Sequence, residues 1–270
     1  MRTSALVLVE YGPGPRPELE LRLSGLDCIV ERVRTDSSPG DVLTNPNEAL
    51  EFSGYQEGLA RIMKRYSGAP DDAMTIVFVN DTLAGGHAPA LSSLLLRELP
   101  RLRHTDRPLL VGLRMPFDQF IASVTGTEGY VSTWAFALCG PRRILERVRF
   151  YEPDEVLSCF DSSSLPEAYR SFLQRWLAPT GFFSGWYKAL PGVPLDPKTR
   201  RRKELAIYLE HRLPDRLSQL GFQTVDIGKM LPNWSAVWRN LLHHVDRLYV
   251  NRLKLERRIP FLLRMHKERQ

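Results

Sequence analysis

One carboxylate stands where a run of apolar and β-branched residues gives way to a polar turn. Residues 74–79 are apolar or β-branched, and Asn80-Asp81-Thr82 follow directly, with Gly85-Gly86 just beyond. An apolar run of this length is typical of a strand buried on both faces of a parallel sheet. Ligands bind beyond the carboxyl ends of such strands, and an aspartate there can bind a divalent cation that holds a diphosphate. Asp81 could equally cap the following turn or helix, so both interpretations stay open.

Two further polar turns share this pattern. Glu10-Tyr11 follows the apolar run 5–9, and the polar loop 44–48, which contains Asn47 and Glu48, precedes a helix predicted to begin near residue 49. In a doubly wound sheet these turns would converge with Asn80-Asp81 on one edge. Tyr11 could stack on a nucleotide base there, although Gly12 to Pro15 could also simply form the turn. Together the three turns predict a site for a nucleoside diphosphate and a metal ion.

Three side chains are candidates for the general base of a transfer reaction. They are Glu128, Asp118 and His87, of which His87 could instead contact the diphosphate. Glu128 is preferred because Gly126 and Gly129 flank it and allow a loop that can reach over a substrate. The alternatives are an ordinary surface glutamate in a turn and a histidine held by hydrogen bonds.

The elements that must position these residues alternate between strand and helix, which predicts an α/β fold with a mostly parallel sheet flanked by helices. In the helix predicted after residue 49, Gly54 and Gly58 share one face, which indicates close approach of a backbone or a ligand. We expect a nucleotide-binding domain over residues 1–150. Strands thin out afterwards, so we expect residues 151–270 to form a helical region that completes the side of the site where an acceptor substrate would bind.

Composition limits the partners and the compartment. The net charge is +6, with a pI near 9.3, which favours an anionic partner. The three cysteines lie far apart and form no zinc or disulfide pattern. No apolar run is long enough to span a bilayer and the start does not have the pattern of a signal peptide, so we expect a cytoplasmic protein. The basic, leucine-rich helix expected over residues 237–270 indicates a contact with the cytoplasmic face of a membrane, or equally a dimer helix.

Three stretches together resemble bacterial glycosyltransferases with the GT-A fold, and in particular the rhamnan-synthesis, capsule and O-antigen transferases. They are NPNEALEFSGYQEGL from residue 45, IVFVNDTL from residue 76 and YVSTWAFALC from residue 130. The resemblance covers roughly residues 5–148. It implies that Asp81 contacts the metal and the diphosphate, that Asn80 lies on the sugar side, and that Glu10 and Tyr11 hold the base. It also implies nucleotide contacts for the group Asn47, Glu48 and Gly54.

The implied activity is transfer of a sugar from a nucleoside-diphosphate sugar to a hydroxyl of a glycan or lipid-linked acceptor, with inversion, in surface polysaccharide synthesis. A divalent cation, Mn²⁺ or Mg²⁺, would stabilise the departing diphosphate. The chain carries Asn-Asp-Thr where the family has Asp-x-Asp, which puts strong metal dependence in question. A catalytically inactive domain that acts as an assembly or regulatory partner is therefore the alternative. Positive charge alone, without a recognised motif, does not support nucleic-acid binding.

Overall fold

The described part of the chain contains six strands and five helices. The computed structural model describes residues 3–10, 28–34, 49–68, 71–80, 98–99, 102, 107–117, 121–122, 128–154, 165–180, 185–186, 188–227 and 236–267. The strands are β1 (Thr3–Glu10), β2 (Ile29–Arg34), β3 (Ala73–Asn80), β4 (Leu109–Pro116), β5 (Gly129–Pro141) and β6 (Gln223–Asp226). The helices are α1 (Glu51–Arg65), α2 (Arg142–Leu145), α3 (Glu167–Leu177), α4 (Pro197–Ser218) and α5 (Ala236–Lys267).

The six strands form one mixed sheet in the order β2-β1-β3-β5-β4-β6. β1 runs parallel to β2 and β3, and β4 runs parallel to β6. β5 is antiparallel to both of its neighbours, β3 and β4. The prediction of an α/β fold with a mostly parallel sheet is therefore confirmed. The sequence did not predict the reversed direction of β5 or the strand β6.

The central strands are buried on both faces, as the apolar runs predicted. Val7, Val9 and Phe78 contribute to a core that also contains residues of α1 and α4. Leu8 and Val79 contribute to a second core on the opposite face of the sheet. Because neighbouring residues of a strand point to opposite faces, an unbroken apolar run is what this double burial requires.

The two glycines of α1 allow this helix to lie directly on β1. A Cβ atom at Gly54 would come within 2.6 Å of a methyl group of Val9, and one at Gly58 within 2.3 Å of a methyl group of Val7. Real Cβ atoms essentially never approach so closely. Close packing of helix against strand therefore accounts for both glycines, one of the two explanations given by the sequence.

The C-terminal region shares the sheet and the core. Buried leucines of α4, among them Leu205, Leu209 and Leu213, belong to the same core as the strands and α1. β6 pairs with β4 from Leu109↔Gln223 to Gly112↔Asp226. None of the described helices has an apolar stretch long enough to cross a membrane.

Candidate functional site

The carboxyl ends of β1 and β3 lie side by side at one edge of the sheet. Val9 pairs with Asn80 in the parallel register, so Glu10 and Asn80 end neighbouring strands at almost the same level. Both side chains are buried. β4 runs in the same direction as β3, so its last residue, Pro116, and the first residue of β5, Gly129, reach the same edge. We call this the carboxyl edge, and it is where ligands bind in open α/β sheets.

Glu10 is held by two arginines of β2. Its Oε1 accepts a hydrogen bond from Arg32 Nη1 over 3.2 Å, and Arg34 Nε lies 3.9 Å from Oε2. A buried carboxylate is stabilised by such cationic partners. The same two guanidinium groups place positive charge beside the carboxyl edge, which suits an anionic ligand. A contact between Glu10 and a nucleotide base stays a prediction.

Most of the predicted site residues lie outside the described part of the chain. These are Asp81, Tyr11, Asn47, Glu48, Asp118 and His87. Asp81 follows Asn80 directly in the chain, and Asn80 is the last residue of β3. Residues 81–97 as a whole fall outside the description, so no contact of Asp81 is assigned.

Glu128 lies at the carboxyl edge, immediately before β5. Its backbone carbonyl accepts a hydrogen bond from Phe117 N–H over 3.1 Å. Its side chain is 92% exposed and lies 3.5 Å from Arg114 Nη2. An exposed ion pair of this kind contributes little to stability. The side chain thus lies at the carboxyl edge but is not enclosed by the fold, and its role as a base stays a prediction.

A bulge in β5 creates a polar centre that the sequence did not predict. The register jumps from Gly112↔Phe136 to Arg114↔Val131, so Leu113 of β4 stands against residues 132–135 of β5. Thr133 N–H and Oγ1–H each donate a hydrogen bond to Glu210 Oε1 over 3.0 Å. The Tyr55 hydroxyl donates to the Thr133 carbonyl. Bulges commonly redirect backbone groups beside active sites, and this one presents its groups to α1 and α4.

Glu210 of α4 combines partial burial with a nearby second acid. Burial raises the pKa of Glu210 to about 7, and the buried Glu51 nearby raises it as well. The hydrogen bonds from Thr133 act in the opposite direction because they favour the charged carboxylate. A carboxyl group that titrates near neutral pH can accept or donate a proton under ordinary conditions. Glu210 is therefore the acid–base candidate that the sequence missed.

His211, the next residue along α4, is packed in a box of aromatic rings. Its Nδ1 lies 2.7 Å from the Tyr169 hydroxyl, and the rings of Phe117, Tyr130 and Phe172 have centroids within 6 Å of its own. Burial lowers the pKa of His211 to about 3, so the ring is neutral at pH 7. The box fixes α4 against the beginning of β5 and thereby holds Glu210 in position beside the bulge.

A second polar feature lies at the opposite edge of the sheet. A pocket of about 310 Å³ is lined by four arginines, Arg147, Arg149, Arg212 and Arg216, together with Glu152 and Asp215. It lies between the segment that follows β5 and the C-terminal half of α4. Its excess of positive charge can attract anions, so any test of ligand binding at the carboxyl edge needs a control for this arginine pocket.

Neither a cluster of metal ligands among the described residues nor a similarity to known proteins identifies the function of the site. Among the described residues no group of three or more His, Cys, Asp or Glu side chains could hold a metal ion. The carboxyl edge offers the buried amide of Asn80, the arginine-paired carboxylate of Glu10 and the titratable carboxyl group of Glu210, and Asp81 is the acidic residue that follows β3 in sequence.

In comparisons with protein-family models and with curated proteins, the chain finds no match.

Proposed function

We propose that this chain is a nucleotide-sugar-dependent glycosyltransferase with a GT-A-like domain. It would transfer a sugar to a hydroxyl of a glycan or lipid-linked acceptor during synthesis of a surface polysaccharide, at the cytoplasmic face of a membrane. A mostly parallel sheet with flanking helices is compatible with such a domain. We infer the type of reaction, sugar transfer, from the sequence resemblance to glycosyltransferases over residues 5–148.

The observation that carries the proposal is the pair of buried polar side chains that end β1 and β3. Glu10 and Asn80 lie at one level on neighbouring parallel strands, and buried polar groups at this edge are where α/β proteins bind nucleotides. Asp81 continues the chain from that point. In the proposed function, Asp81 contributes a carboxylate to a divalent cation, Mn²⁺ or Mg²⁺, that neutralises the leaving diphosphate.

The acceptor hydroxyl must lose a proton as it attacks the anomeric carbon, and two described carboxylates are candidates to accept it. Glu128 lies at the carboxyl edge on an exposed turn, while Glu210 lies beside the β5 bulge with a pKa near 7. We favour Glu210, because a base is most effective when its pKa lies near the working pH. Inversion at the anomeric carbon follows if one such base acts on the face opposite the diphosphate.

Ligand binding at the carboxyl edge tests the proposal. Uridine, guanosine and thymidine diphosphates would be titrated into the protein with and without Mn²⁺, and binding would be measured by calorimetry. We expect one of them to bind, and Asp81→Asn to weaken that binding at least about tenfold through loss of a charge-assisted contact. Asp72→Asn is the matched control because Asp72 is an exposed residue that precedes the other end of β3.

Two outcomes would count against this function. Binding that is unchanged in Asp81→Asn but lost in Arg212→Ala would place the anion in the arginine pocket instead. Failure of every common nucleoside diphosphate to bind, with or without the ion, would remove the basis of the proposal.

An inactive domain is the second candidate, and the sequence Asn-Asp-Thr favours it because one carboxylate of the family pattern is missing. It would act as an assembly or regulatory partner and would bind the nucleotide without using it. Measurement of donor hydrolysis and of sugar transfer separates the two candidates. Turnover that disappears in Glu210→Gln while nucleotide binding persists would support the enzyme, and nucleotide binding without any turnover would support the inactive domain.

A further inference from the structure

The long C-terminal helix α5 buries charged side chains against the rest of the protein. Arg258 is completely buried, and its Nη2 donates hydrogen bonds to the Ala189 carbonyl over 2.9 Å and the Trp186 carbonyl over 3.1 Å. Lys254, one turn earlier, is buried as well, and burial lowers the pKa of both side chains. These contacts determine which face of α5 is turned inward.

The outward side of the same helix carries a stripe of apolar side chains. Its exposed apolar residues are 36–59% accessible, and they are Val245, Leu248, Leu255, Ile259 and Leu263. Only two other large apolar side chains in the described part of the chain, Trp176 and Val193, are comparably exposed. Exposed charged residues of the same helix, among them Arg247, Arg257 and Arg264, lie on either side of these apolar residues. Such a concentration of exposed apolar surface marks an interaction site. We call these five residues the α5 stripe.

The spacing of the α5 stripe is that of a coiled coil. Its first four residues, together with Arg252, follow one another in steps of three and four, which repeats every 3.5 residues on average, and Leu263 follows four residues after Ile259. From Val245 to Leu263 the stripe is about 27 Å long at 1.5 Å per residue. Leu241 and Leu262 continue the spacing in the sequence. So narrow a stripe fits one partner helix better than a lipid surface, which takes up a broader apolar face.

Arg252 lies between the apolar residues of the α5 stripe, and its charge indicates which partner helix fits there. Its Nε lies 2.7 Å from Glu256 Oε1, with both side chains exposed. A parallel pair of α5 helices would place the two Arg252 side chains opposite each other. An antiparallel pair centred between residues 252 and 255 instead brings Arg252 beside Glu256 of the partner subunit. Opposite charges then meet at the centre of the pair, and apolar residues meet on both sides of it.

We propose that the α5 stripe is the interface of a homodimer, in which α5 pairs antiparallel with α5 of a second copy of this chain. The inference is independent of the proposed function, because it rests on surface side chains of one helix. It also gives the apolar stripe a use that does not require a membrane.

The oligomeric state of the full chain tests this inference. Light scattering after size exclusion, at about 50 µM protein, should give about twice the monomer mass of 30.9 kDa. The double variant Leu248→Glu/Leu263→Glu should raise the dissociation constant more than about 100-fold, since it removes apolar contacts on both helices. Arg264→Glu is the matched control, because Arg264 is exposed on α5 but away from the stripe, and it should leave the dimer intact.

A charge exchange gives an independent test if the double variant does not fold. Arg252→Glu alone should weaken the dimer, and adding Glu256→Arg should restore it. Absence of restoration, a monomeric wild-type protein, or a dimer that persists in Leu248→Glu/Leu263→Glu would each overturn the inference. So would a monomer that cosediments with phosphatidylglycerol vesicles through the same stripe, because the occupant would then be a lipid surface.

Discussion

Replacing Glu210 by Gln should stabilise the protein at neutral pH, although it removes a carboxylate that makes two hydrogen bonds. Burial raises the pKa of Glu210 from 4.5 to about 7 in the folded chain. At a pH between these two pKa values, the unfolded chain has released the proton of Glu210 while the folded chain still binds it. The free energy of unfolding therefore falls as the pH rises from about 4.5 to 7, and this loss of stability stays constant at higher pH.

The magnitude follows from the difference between the two pKa values. A difference of about 2.5 corresponds to at most roughly 3 kcal/mol, at 1.36 kcal/mol for each pKa unit. Gln has the same shape, and its carbonyl can still accept from Thr133 N–H and Oγ1–H, so the contacts beside the bulge are retained. We expect Glu210→Gln to match the wild type at pH 4 and to be about 1–3 kcal/mol more stable at pH 8.

Urea unfolding at a series of pH values from 4 to 8 measures this difference directly. Glu57→Gln is the control, since Glu57 forms a partly exposed pair with Arg61, and its effect should stay within about 0.5 kcal/mol at every pH. If Glu210→Gln has the same stability as the wild type at pH 8, or is less stable there, the reasoning from burial is wrong and the case for Glu210 as a base at neutral pH is lost with it.

Two further predictions concern the frame around the site. Burial lowers the pKa of His211 from 6.5 to about 3, so between these pH values only the unfolded chain binds a proton at this ring. The free energy of unfolding should therefore fall as the pH drops from about 6.5 towards 3. His211→Gln should reduce this pH dependence, as measured in acid unfolding curves. Gly58→Ala should lower the free energy of unfolding by about 1–2 kcal/mol, because overpacking against Val7 outweighs the gain in helix propensity. Gly68→Ala, where a Cβ atom would meet nothing within 4 Å, should be neutral or slightly stabilising, and an equal loss in both variants would contradict the packing argument.

The sequence predicted those parts of the fold that depend on local periodicity. The run 74–79 identifies β3, and the paired glycines of α1 reflect its contact with β1, because burial on two faces and close approach both restrict residue type at fixed spacing. The direction of β5 could not be predicted in this way. An apolar run looks the same in either direction, and strand order depends on contacts between distant parts of the chain.

The candidate site was predictable only in part for the same reason. Glu10 and Asn80 follow apolar runs, so their place at a strand end could be inferred. Glu210 and Thr133 are 77 residues apart in the chain, and the contact between them depends on a bulge that no local pattern marks. A single glutamate beside the buried Leu209 of α4 is the only trace of this contact in the sequence.

A structure of the protein soaked with the best-bound nucleoside diphosphate and Mn²⁺ tests the central claim most directly. The account predicts that the diphosphate lies at the carboxyl edge beside Asn80, with the ion bound to Asp81. A diphosphate found in the arginine pocket, or an Asp81 side chain that contacts neither the ion nor the ligand, would contradict it.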